Sequence, residues 1–201
     1  MTLYLAKTIQ HALMALTIKK AHGNFTSQSS GYLGRTALQK IMYFLVRRGL
    51  PVDYHFDIYH YGPFCQDVYH NVEWLIADGV VRDASENQAK YSNYVPDSQM
   101  DALLEKFESQ VKEHEPIVDE VVSIFAELPP EDLELIATLD YLYQEERAKQ
   151  IRPPKKDTVI ARFLEVKGDR FDEKRVSRIY DILAKAKIFE PDLAVAPSRG
   201  K

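Results

Sequence analysis

The chain has 201 residues, 45% apolar and 28% charged, a composition ordinary for a globular protein and too apolar for wholesale disorder. Its formal charge of -4 gives no general attraction to nucleic acid or anionic lipid, and its one cysteine excludes an internal disulfide framework, which fits a reducing cytoplasm. Apolar runs such as Ile41 to Val46 fall far short of the ~20 residues of a membrane helix, and the first residues lack the pattern of a secretory signal, so a cytoplasmic protein is expected.

Leu5, Ile9, Leu13 and Leu16 recur at helical spacing and predict a first helix over residues 2–22 that packs beneath the central unit. A Ser/Gly/Asn-rich connection runs from Gly23 to Gly34, and Thr36 is placed to cap the next helix. That helix carries Leu38, Ile41, Met42 and Leu45 on one face, leaves Arg35, Gln39 and Arg47 on others, and is stopped by Gly49 and Pro51. HFDIYHY (55–61) alternates as a half-buried strand, and Gly62-Pro63 ends it in a tight turn. Val68, Val72, Leu75 and Ile76 then share a helix face that Gly79 closes with a left-handed residue. A hairpin comes next, from Val80 to Asp83, through a polar turn at 85–88, to Tyr91–Val95. Helix, strand, helix and hairpin in this order match a winged-helix layout, a topological statement that does not settle function.

Gly34-Arg35, Leu38-Gln39-Lys40, Tyr43, Phe56, Tyr61-Gly62-Pro63, Val68 and Leu75, at these distances, resemble the YwgA-like bacterial proteins and, more distantly, the Panacea domain of SocA-type antitoxins. The later run LELIATLDYLYQE also resembles YwgA-like chains, so the likeness covers about residues 34–189. For Panacea antitoxins the resemblance implies binding and neutralising a partner toxin without catalysis; YwgA-like proteins have no established activity. One departure concerns Cys65, which stands at a helix start where the YwgA-like pattern usually has a small hydroxyl residue. A thiol caps poorly, so Cys65 is either an inferior cap with a lowered pKa or a partly buried thiol with no role.

After Pro96 the pattern becomes wholly helical. Met100, Leu103, Leu104, Phe107 and Val111 form one stripe, Pro116 is expected to break or kink it, and Val118, Val121, Val122 and Phe125 resume it. Pro130 opens a helix with Glu131, Asp132 and Glu134 near its positive end. Arg152-Pro153-Pro154 is a break, Asp157 is placed to cap a helix ending at Gly168, and Asp172 to cap a last one with Val176, Ile179, Ile182 and Leu183 inward. The fold class expected is mainly α with a small antiparallel β-sheet (α+β). It comprises a winged-helix-like N-terminal unit (1–96), a C-terminal helical bundle (97–189) and a flexible tail (190–201).

Candidate chemistry is sparse. His55, His60, Cys65, Asp67 and His70 lie close in sequence without zinc-site spacing, and there is no phosphate-cradling loop, dinucleotide fingerprint or hydrolase elbow. No metal, cofactor or catalysis is expected. Tyr43, Tyr54, Tyr59, Tyr61, Phe64, Tyr69 and Trp74 crowd one unit, as a docking site if partly exposed or as a tyrosine-rich core if not. Tyr59, Tyr61, Gly62, Pro63, Phe64, Tyr69 and Trp74 form the expected partner-binding surface, the partner being another protein, toxin-like or regulatory, in a toxin-antitoxin or phage-defence setting. The alternative is a DNA-binding regulator. The helix over 66–77 carries acids and no cation, so Lys174, Arg175 and Arg178 on the last helix are the better nucleic-acid candidates, unless they only solvate the edge of a bundle.

Overall fold

A computed structural model describes residues 3–26, 32–85 and 91–190. It is 64% helical with two small antiparallel sheets. Packing divides the chain into two compact units, Met1–Ala137 and Thr138–Lys201, whereas the sequence pattern suggests a boundary after Pro96. The residues after Pro96 stay with the first unit because its central helix needs them as cover. α1 (Ile9–Thr26) is buried on every side from Ala12 to Ile18 and packs against α4 (Met100–Lys106) and α5 (Glu108–Phe125). A helix apolar all round cannot face water. The expected one-sided stripe is corrected at its start as well, since Leu5 precedes the helix and is exposed.

α5 lays Val118, Val121, Val122 and Phe125 inward, and Phe125 stacks on Phe44 of α2 (Arg35–Arg47) at 3.9 Å between ring centroids. Lys20 of α1 pairs with Glu115 and Asp119 on the flank of that inward face, at 2.6 and 2.9 Å. The helix break comes at Phe107 and not at Pro116, which lies inside α5. Pro116 is exposed, so the carbonyl it leaves without an N–H partner sits on a wetted face, and the buried valines on either side hold the helix together.

The strands form two separate two-stranded sheets: β1 (Asp57–Tyr59) with β2 (Gly62–Phe64), and β3 (Val81–Asp83) with β4 (Tyr94–Pro96). α3 (Gln66–Ala77) lies between them in the chain, and Gly79 takes the expected left-handed conformation at φ +68. Gly62-Pro63 is thus not only a terminator but the return strand of a hairpin. The polar turn of the second hairpin falls mostly outside the described residues. Thr36 and Asp157 do not cap their helices: Gly34 and Lys155 occupy those positions without a side-chain bond.

In the second unit, α6 (Pro130–Ala148) contributes its later turns, succeeded by α7 (Lys156–Lys167) and α8 (Glu173–Lys185). Tyr143 stacks on Phe189 at 4.3 Å and Phe163 meets Phe171 edge-on at 5.6 Å. Asp172 caps α8 as expected, accepting from the Arg175 N–H at 3.0 Å. Val176, Tyr180 and Leu183 form the inner face, while Ile182 is 53% exposed, against the inward position its spacing suggests. The expected tail lies outside the described residues beyond Glu190. Among the described residues no helix is long and apolar enough to cross a membrane.

Candidate functional site

The β1–β2 hairpin is held from behind by two polar residues of α2. Gln39 is 3% exposed and grips the backbone of Cys65 on both sides: its Nε2 donates to the Cys65 carbonyl and its Oε1 accepts from the Cys65 N–H, each at 3.0 Å. Lys40, among the most buried side chains, donates from Nζ to the Pro63 carbonyl at 2.7 Å. Proline has no N–H, so Ile58 and Pro63 must be a pair of the ladder that exchanges no hydrogen bonds. The Pro63 carbonyl therefore points away from β1, where Lys40 takes it. Helical spacing puts Gln39 on an outer face; it is buried instead because α2 is enclosed continuously from Ala37 to Leu45.

This anchoring presents the hairpin tip to solvent. Tyr59 is 62% and Tyr61 57% exposed, and Phe64 is half-buried with its ring 5.7 Å from that of Tyr59. Tyr59 pairs across the ladder with Gly62, whose φ of +87 a side chain would strain. Gly62 and Pro63 are themselves buried, and the Pro63 carbonyl is the anchor point for Lys40.

Tyr59, Tyr61, Gly62 and Phe64 line a cleft of about 660 Å³. Its other lining includes Gly34 to Ala37 at the start of α2, Gln39 and Lys40, and the stacked pair Tyr32 and Tyr91, whose centroids are 4.5 Å apart. The volume is that of an ordinary binding pocket. The sequence does not single out Tyr32, Tyr91 and Arg35 for this cleft, because no local pattern links a connection before α2 to the second hairpin. The signal available is a lysine and a glutamine standing in mid-helix among apolar residues.

The remaining expected rim residues separate. Tyr69 is half-buried with the Arg35 guanidinium 5.2 Å over its ring, so it adjoins the cleft through Arg35. Trp74, 44% exposed, lies five residues further along α3 and packs at 5.5 Å against His11 of α1, on another face. His11 is itself buried, with Nδ1 2.7 Å from the Thr8 hydroxyl; burial pushes its pKa down, while Asn71 and the Asp78 carboxylate work in the opposite direction. Asn71 in turn donates to the Tyr54 hydroxyl at 2.8 Å, and burial holds that phenol well above its usual pKa.

Cys65 is the N-cap of α3 without a side-chain cap bond, as expected, but its pKa is corrected in direction. The thiol is 2% exposed and burial raises it, outweighing nearby backbone N–H groups. A buried, protonated thiol is a poor nucleophile. Among the described residues no group of three or more histidine, cysteine or acidic side chains is placed to hold a metal ion. On α8, Lys174 and Arg178 are exposed, whereas Arg175 turns its guanidinium over the Phe171 ring at 5.9 Å. No protein-family model matches the chain, and neither does any curated protein.

Proposed function

We propose that the chain is a non-catalytic protein-binding module that captures a partner, toxin-like or regulatory, at the tyrosine rim of the cleft beside the β1–β2 hairpin. The observation that carries this reading is the pairing of exposure with fixation: two tyrosines more than half exposed on a hairpin tied down, at Pro63 and at the adjoining Cys65, by three hydrogen bonds with buried α2 side chains. Tyrosine offers large apolar area with a polar tip, and a rim already fixed loses little freedom on binding. The likeness to Panacea-type antitoxins supports the same class of action.

The test is to isolate the chain with its bound protein from its own cells, produce that protein separately, and measure affinity by calorimetry. Tyr59→Ala with Tyr61→Ala should weaken binding by about 30-fold or more, the size of a hot-spot loss of ~2 kcal/mol. An undiminished affinity in this variant, with Trp74 fluorescence unchanged, would remove the rim from the interface.

A further inference from the structure

The second unit carries a charged surface that the tyrosine rim does not use. From Arg147 to Lys187 thirteen lysines and arginines stand against six acids, an imbalance hidden by the chain's overall charge of -4. Several of these cations are neutralised locally: Lys149 by Glu146 at 2.8 Å, Arg162 by Glu165 at 2.6 Å and Lys156 by both oxygens of Asp181 at 2.7 Å. Lys174, Arg178 and Lys185 are exposed and form no ion pair among the described residues.

These three fall on a single stripe. At about 100° per residue, positions 178 and 185 lie about 40° and 20° round the helix from 174, and the stripe is opposite the buried face of Val176, Tyr180 and Leu183. It spans about 16 Å at a rise of ~1.5 Å per residue. Asp181 is the one acid on the stripe, and its pairing with Lys156 cancels it. Glu173 lies to one side, about 100° from Lys174.

We propose that this stripe of α8 binds the phosphate backbone of duplex nucleic acid, without base readout. An acidic protein is disfavoured because the stripe has no aromatic anchor, and exposed ion pairs alone contribute little to protein association. A single strand is disfavoured because the described aromatic rings of this unit are buried or, in Tyr141, half-buried, leaving no platform for stacked bases. A regular polyanion suits the stripe, since each neutralised phosphate releases counterions. This inference stands apart from the tyrosine rim, and either can fail alone.

The experiment is fluorescence anisotropy of the full chain with a labelled duplex of mixed sequence at several salt concentrations. Three phosphate contacts predict a slope of log affinity against log salt of about -2.7, so binding weakens about 40-fold between ~50 and ~200 mM salt. Lys174→Gln, Arg178→Gln and Lys185→Gln should each reduce the slope by about 0.9, while Lys149→Gln, whose lysine is already paired, leaves it unchanged. Circular dichroism establishes that each variant is folded. Absence of duplex binding at ~50 mM salt, an unchanged slope in the triple variant, or equal affinity for polyaspartate would each overturn the proposal.

Discussion

Gln39→Leu is the sharpest test of how the hairpin is held. Leucine keeps most of the volume of glutamine but removes both hydrogen bonds to Cys65, leaving one buried N–H and one buried carbonyl without this partner. The Cys65 carbonyl keeps the Tyr69 N–H at 3.4 Å, so only the Cys65 N–H is stripped outright, at about 1–3 kcal/mol, with roughly 1 kcal/mol more for the bond lost at the carbonyl, offset in part by burying an apolar side chain. A net loss of about 2 kcal/mol is expected. The protein has one tryptophan, Trp74, so urea unfolding tracked by its fluorescence reports on the first unit alone. Gln39→Glu supplies an internal control. Its carboxylate still accepts from the Cys65 N–H but cannot donate to the carbonyl, whereas the protonated acid can do both. Burial raises the folded-state pKa of that acid above its unfolded value, so the variant is nearest to wild type below the unfolded pKa and loses stability as pH rises through the folded one. A Gln39→Leu loss below about 0.5 kcal/mol, or a Gln39→Glu variant that gains nothing on wild type at acid pH, would refute the anchoring argument.

Cys65 should resist thiol reagents in the folded protein at neutral pH and react fully in denaturant, because it is buried and burial raises its pKa; rapid native labelling would contradict this. His11 has a folded pKa below the ordinary histidine value of 6.5, so between that folded value and 6.5 the unfolded chain binds more protons. Its contribution is therefore intact above pH 6.5 and lost as pH falls toward the folded pKa, with a slope of up to about 1.4 kcal/mol per pH unit. His11→Gln should remove that part of the pH dependence of unfolding, and an identical profile in the variant would count against it.

The elements whose apolar residues lie on one face are legible in the sequence. α3 and β3 sit where their periodicity places them, because stripe and alternation report directly on which side meets the core, whereas α2 keeps its expected bounds but is buried all round from Ala37 to Leu45, and β4 is shifted to Tyr94–Pro96 from the expected 91–95. α1 is harder. Its one-sided stripe hides the fact that Ala12, Met14, Ala15 and Thr17 are buried too, small or flexible residues that give no periodic signal when every face is covered. β2 is hidden for a different reason. Gly-Pro reads as punctuation, and only the pairing geometry shows that a proline fits where the ladder asks for no N–H. Half of the rim is visible as a local crowd of tyrosines, but Trp74 joins them only through proximity in sequence, and helical rotation takes it to another face. Tyr32 and Tyr91 meet only through tertiary structure, which no short window contains.

The polar pair in the middle of α2 connects the core to the site. An apolar residue at position 39 or 40 would satisfy the burial of that helix equally well, yet it would leave the carbonyls of Pro63 and Cys65 without these donors. Burying an amide and an ammonium is costly unless they are bonded, and the bonds they make are directional, so they favour one orientation of the hairpin where apolar packing would tolerate several. That orientation sets where Tyr59 and Tyr61 stand relative to the start of α2. Leu38-Gln39-Lys40 and Tyr61-Gly62-Pro63, more than twenty residues apart, are therefore two halves of one device: the first supplies donors, and the second presents a carbonyl freed by proline and a glycine that lets the chain turn. Their joint presence in the sequence has a mechanical cause, because neither half positions the rim without the other.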